Sequence, residues 1–332
     1  EFALKDLSSF GVGRVSSLFV YPMSFDEFLT ATGQEGLLRT KRNSSPMNPL
    51  PEAFYNRLVE NFRSYMLVGG MPEAVATYTE TGSYRYSSNI VNEIIQGYQD
   101  DFAKYGAKAN PLLLRQTLIS VAHQAGAKFV YSRVEGQYRS AEVKVALEML
   151  KDAGLIIPTY HTDANGVPLG AEINERVVKY LIHDTGVLLG ILGIDDDIDD
   201  SIKEMMVADS INLVDKGHVA EMMAGLELIK YSSPQKRHQL YYWQNMNKGT
   251  CAEVDYVIAR SGSIVPIEVK SGVKGSMSSM YSLMRNPQKH IEMGIRCSLE
   301  NFGTFESPDG KKIDIIPLYA ISNLFAEKQM GI

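Results

Sequence analysis

Two short runs hold side chains capable of metal or acid–base chemistry: Glu253-Val-Asp255-Tyr-Val-Ile258, and Pro266-Ile-Glu268-Val-Lys270 beyond the Ser261-Gly262 pair. In the first, Val254, Tyr256 and Ile258 alternate with Glu253, Asp255 and Val257. In the second, Val265, Ile267 and Val269 alternate with Pro266, Glu268 and Lys270. A period of two belongs to a β-strand with one apolar and one polar face. A two-residue loop at Ser261-Gly262 sets Arg260 opposite Ser263, and counting back predicts Asp255 opposite Glu268 and Glu253 opposite Lys270. Two adjacent carboxylates repel unless a cation or a proton lies between them. Asp255 and Glu268 are therefore candidate ligands for Mg²⁺ or Mn²⁺, which take oxygen donors. Such an ion polarises a phosphate and acidifies a bound water. Lys270, on the strand face of Glu268, could orient the attacking water or offset developing charge. Glu221, on a preceding helix, could reach the ion through water or activate the nucleophile. The plainer reading of the same residues is a Glu253–Lys270 cross-strand salt bridge of small energetic value and two acids at a wet sheet edge.

An α/β region over residues 171–332 must position these groups. Its predicted elements are a strand at 177–182, an apolar run at 188–192, a helix at 217–231, a strand at 239–244, the hairpin, a helix at 277–293 and a strand at 313–320. Residues 111–170 read as helix (112–124), turn-rich segment, helix (139–152), strand (155–160) and a return from Val167, the order of a winged helix. Arg139, Lys144 and Lys151 could face DNA phosphates there, or the module could serve protein packing. Residues 24–110 read as a helical connecting region. Ser24 and Glu27 have capping-box spacing, 39–51 is a polar proline-bearing loop, and helices are predicted at 52–68, from Pro72, and at 84–105.

At 332 residues the chain exceeds one ordinary core, and 45% apolar with 22% charged residues is usual for a folded globular protein. No apolar run approaches the roughly 20 residues of a membrane span, so no membrane partner is expected. Two cysteines, Cys251 and Cys297, are too few for a disulfide scaffold and point to a reducing, cytoplasmic setting. The net charge of −6 argues against a general nucleic-acid coat protein. The acidic run Asp195-Asp-Asp-Ile-Asp-Asp200 lacks the ligand spacing of a calcium loop and reads as a solvated segment. The six histidines show no zinc-ligand spacing.

Glu-Val-Asp-Tyr-Val-Ile followed by Pro-Ile-Glu-Val-Lys resembles the PD-(D/E)XK nuclease superfamily, and in particular the DUF4143 region at the C-terminus of a large family of prokaryotic AAA-type ATPases. The resemblance extends through Gly217-His-Val-Ala-Glu221, Leu240-Tyr-Tyr-Trp243 and Asp184-Thr-Gly186. Upstream it takes in Lys128-Phe-Val-Tyr-Ser132, Tyr138-Arg-Ser140, Val68-Gly-Gly-Met-Pro-Glu73 and Tyr21-Pro-Met-Ser-Phe25. It implies a PD-(D/E)XK nuclease-like domain at 171–332, a winged helix at 111–170 and the end of an ATPase core at 1–23. It also implies Asp255 and Glu268 as metal ligands, with Lys270 and Glu221 as catalytic groups. No GxxxxGK[ST] phosphate loop occurs, and Gly11-Val-Gly13-Arg14 lacks its Lys-Ser/Thr pair. ATP would thus be bound only by an ATPase core preceding this chain. DNA, a protein partner, that core and a second copy of the chain are the expected partners. The expected reaction is Mg²⁺- or Mn²⁺-dependent phosphodiester hydrolysis, and the alternative is a non-catalytic nucleic-acid- or protein-binding module.

Overall fold

The computed structural model describes residues 16–104, 110–193, 217–245, 252–272 and 275–325. Gly11–Arg14, most of the expected ATPase remnant at 1–23, the Asp195–Asp200 run and Cys251 lie outside the described residues.

Local sequence sets the N-terminal helices. Ser24 and Glu27 form the predicted capping box at the start of α1 (Phe25–Ala31), satisfying two backbone donors the helix itself cannot. A second helix, α2 (Glu35–Arg42), takes the first part of the stretch expected to be loop. Three basic residues in its last turn complement the helix dipole. Next come α3 (Glu52–Val68), α4 (Pro72–Thr81) and α5 (Tyr84–Lys104). On α3, Leu58, Phe62 and Tyr65 are buried while Phe54 faces solvent.

Two glycine-bearing motifs and the segment at Met23 interlock where these helices meet the rest of the chain. The Gly70 N–H donates to Asp184 Oδ2 (2.6 Å), and the Met23 N–H donates to the Gly70 carbonyl (2.7 Å). A Cβ on Gly70 would lie 2.3 Å from the Met23 carbonyl oxygen, and one on Gly186 would lie 2.6 Å from that of Val68. Gly69 takes φ +78°, and a side chain there would meet Asp184 Oδ1 at 2.2 Å. Asp184 also caps α8 (Thr185–Ile191) through the Val187 N–H.

The helices α6 (Pro111–His123) and α7 (Ser140–Asp152) precede β1 (Ile156–Thr162) and β2 (Ile173–Ile182) in the predicted order. The return strand and the strand predicted at 177–182 are one element, β2, antiparallel to β1. On its other edge β1 pairs in parallel with β3 (Leu240–Gln244), which pairs with β4 (Glu253–Val254). The β1–β2 pair is therefore half of a four-stranded mixed sheet, ordered β2-β1-β3-β4, and not a free wing. A second mixed sheet, ordered β5-β6-β7-β9-β8, comprises β5 (Tyr256–Arg260), β6 (Ser263–Val269), β7 (Met293–Ser298), β8 (Gly303–Glu306) and β9 (Lys312–Pro317). Apolar side chains cover both its faces. Tyr256, Val265, Ile267 and Val269 pack in the main core with α9 (Gly217–Lys230), whereas Val257 and Ile264 pack with Met280, Leu283 and Met284 of α10 (Ser278–Arg285). The fold is mixed α/β. Among the described residues, no helix is long and apolar enough to cross a membrane.

Candidate active site

The Ser261-Gly262 turn has both residues at positive φ, as a two-residue hairpin loop of this kind requires. The predicted register holds from Arg260↔Ser263 to Tyr256↔Ile267. There the hairpin ends. Val254 pairs with Trp243 and Glu253 with Gln244, so the chain changes sheets at Asp255. The expected Asp255–Glu268 and Glu253–Lys270 ladder pairs do not form, because β3 offers the incoming strand a second edge. Asp255 reaches β6 by its side chain instead: Oδ2 accepts the Val269 N–H at 2.7 Å. The adjacent Lys270 N–H bonds the Cys297 carbonyl of β7, so the Val269 N–H points the other way, to where the ladder has ended.

Glu268 is buried, contrary to a wet sheet edge. Its Oε1 accepts from Lys270 Nζ at 2.7 Å, while its Oε2 is buried without a hydrogen-bond partner. Gly275 closes on the stem of Lys270, where a Cβ would stand 2.7 Å from Cδ. Glu221 comes from α9 and is also buried. Tyr256, the neighbour of Asp255, lies against the bare Cα of Gly225 and donates its hydroxyl to the Glu221 carbonyl at 2.8 Å. From the other side the turn after α6 brings Gly126 (φ +76°), where a Cβ would sit 2.6 Å from His218 Cβ and 3.2 Å from Glu221 Oε2.

Sequence reasoning missed Lys179 of β2. Its Nζ donates to Glu221 Oε1 at 2.8 Å and to Glu253 Oε1 at 2.5 Å, and lies 5.0 Å from the centre of the Tyr242 ring. The only signal was a lysine inside the apolar run Val177-Val-Lys179-Tyr-Leu-Ile182.

Four carboxylates (Glu221, Glu253, Asp255, Glu268) thus share the site with two ammonium groups (Lys179, Lys270). Fully ionised, four negative and two positive charges leave a surplus of two negative charges, and the titrations carry its mark. Burial, reinforced by the Asp255 charge, pushes Glu268 up to about 7. Burial pushes Glu221 up to about 8, with Lys179 opposing and Asp255 adding to the shift. Asp255 is raised by burial, against the Val269 hydrogen bond and both lysines. Burial alone would lower Lys179, but Glu221 and Glu253 outweigh it and hold the ammonium above its ordinary value.

Residues 216–321 match the family model DUF4143, a domain of unknown function. That match contains Glu221, Glu253, Asp255, Glu268 and Lys270. A second match, to DUF8612, another domain of unknown function, covers residues 59–198 and contains Lys179. The ion pairs of Lys179 therefore join the DUF4143 region to the DUF8612 region. No curated protein and no solved structure matches the chain.

A divalent cation fits the donor set in two respects. It would supply the two positive charges that the cluster lacks, and Glu268 Oε2 is a buried oxygen with nothing to accept from. Among the described residues, no group of three or more His, Cys, Asp or Glu side chains is arranged to hold a metal ion.

Of the other predicted groups, Arg139 and Lys144 are exposed on or beside α7, whereas Lys151 is tied to Glu148. A cavity of about 420 Å³ lined by Tyr231, Tyr241, Tyr256 and Phe325 includes none of the site's charged residues.

Proposed function

We propose that this cluster is a nuclease-type site hydrolysing DNA phosphodiesters with Mg²⁺ or Mn²⁺, in a PD-(D/E)XK-like domain. The observation that carries the reading is Glu268: one oxygen on Lys270, the other buried and unpartnered, amid a surplus of negative charge. Asp255 and Glu268 would hold the ion, which when bound polarises the phosphate and acidifies its water. Lys270, positioned by Glu268 and by Gly275, offsets charge as it develops on the phosphate oxygens. Glu221, its carboxyl raised to about 8, would accept a proton from the attacking water once ionised, as pH rises toward 8. Residues 111–170 would act as a winged-helix-like platform, with Arg139 and Lys144 free to meet DNA backbone. A preceding ATPase core, a cytoplasmic setting and self-association complete the proposal.

The test is incubation of the purified chain with linear duplex, single-stranded and branched DNA, with and without Mn²⁺, alongside Asp255→Ala and Lys270→Ala. The expected result is Mn²⁺-dependent cleavage that falls by roughly 100-fold or more in each variant. Cleavage untouched by both substitutions would overturn the assignment. A second reading, a non-catalytic nucleic-acid- or protein-binding module, draws on the lysines already bound to Glu221, Glu253 and Glu268. DNA binding without cleavage would favour it.

A further inference from the structure

The four acids of the site do not stand alike. Glu221 and Glu253 converge on one ammonium group, Lys179, whose side chain is 2% exposed. An ammonium group has three N–H bonds. Two go to these carboxylates, and the Tyr242 ring lies 5.0 Å away for the remaining positive face. Lys179 is thus committed within the site and has no reach to a substrate. Its backbone is fixed as firmly, because β2 pairs it with Thr159 of β1 on one side and a bridge to Lys128 holds the other. Asp255 and Glu268 hold no such partner in common. Asp255 spends one oxygen on a backbone N–H, and Glu268 keeps an unpartnered buried oxygen.

We propose that Lys179 is a built-in cation that occupies Glu221 and Glu253, so that the cluster takes a single divalent ion, at Asp255 and Glu268. The inference rests on the metal-site reading above and deepens it. Two-metal hydrolases place two ions on shared carboxylates. Here a lysine from a strand distant in sequence already pairs with two of the four carboxylates, and a further ion on Glu221 would meet its like charge at close range. Glu221 then acts beside the ion as a group positioned by Lys179, and not as one of the ion's ligands.

Mn²⁺ titration of the full chain, followed by calorimetry and by the paramagnetic resonance of free Mn²⁺, tests this without any activity readout. The parent is expected to bind one ion. Asp255→Asn and Glu268→Gln should each weaken it by more than about 100-fold, and Glu221→Gln by less than about 100-fold, no more than the cost of losing a ligand's neighbour. Lys179→Met should admit a second ion, and Lys179→Arg should keep the count at one. If Lys179→Met does not fold, as circular dichroism would reveal, the Glu221→Gln comparison still decides. Two ions in the parent, a folded Lys179→Met holding one, or Glu221→Gln as damaging as Asp255→Asn would each overturn the inference while leaving the metal site standing. No Mn²⁺ bound by the parent would overturn the metal site itself.

Discussion

Glu268 shows what burying acids around a missing charge does to a single residue. Its folded-state pKa, about 7, lies above its ordinary 4.5, so the folded chain takes up this proton more readily than the unfolded one. The resulting contribution to stability is complete below about pH 4.5 and is lost as pH rises through about 7. Glu268→Gln has no such proton to lose. Its unfolding free energy relative to the parent should therefore rise between pH 5 and pH 8, by on the order of 2 kcal/mol, in denaturant titrations across that range. A difference that stays flat with pH would show that folding does not raise the Glu268 carboxyl. Mn²⁺ at about 100 times its dissociation constant should return about 2.7 kcal/mol to the parent and little to the variant. Much at this scale was legible: the strand period and the turn name Asp255, Glu268 and Lys270 from the chain alone. The partner of Glu253 was not, because a count through the turn assumes that the hairpin continues, and it stops at Asp255.

Among the elements, Asp184 ties most together. It caps α8, receives the Gly70 N–H at the end of α3, and faces the bare Cα of Gly69. Asp184→Ala removes a cap worth about 1 kcal/mol and strands a buried N–H at a cost of about 1–3 kcal/mol. An expected loss of about 2–4 kcal/mol is within reach of urea unfolding, and a loss below about 0.5 kcal/mol would mean that the junction tolerates its absence. Gly70→Ala should cost about 1–3 kcal/mol, since its methyl would meet the Met23 carbonyl in a filled space. Both bounds of α3 were legible from its apolar stripe and the Gly-Gly stop, and the start of α4 from Pro72. The strand at Met293–Ser298 was missed: it mixes glycine, arginine and cysteine, and the predicted helix ran on to Met293 although α10 ends at Arg285, just before Asn286-Pro287. The run Val177–Ile182 revealed a strand but could not reveal that its one lysine answers two glutamates from 42 and 74 positions further on.

Over the whole molecule, the regions matching DUF8612 and DUF4143 share one sheet and one charge cluster. The N-terminal helices are bound in as well. Lys41 pairs with Asp26 and donates to Ser322 Oγ, while Glu227 of α9 accepts from Tyr65 Oη. A fragment of residues 217–325 would lose β1 and β2, leaving Leu240 uncovered and Glu221 without its ammonium group. It is expected to lack the parent's cooperative thermal transition in calorimetry. A sharp transition near the parent's Tm would show that the two regions fold independently. The interlock of Met23, Gly70 and Gly186 has a consequence for reading substitutions. Those three positions serve the scaffold, and none touches Asp255 or Glu268. Substitutions at Gly70 and Gly186 would therefore disturb the architecture without altering any acid of the site, and those at the sheet crossing would alter the chemistry while leaving that interlock whole.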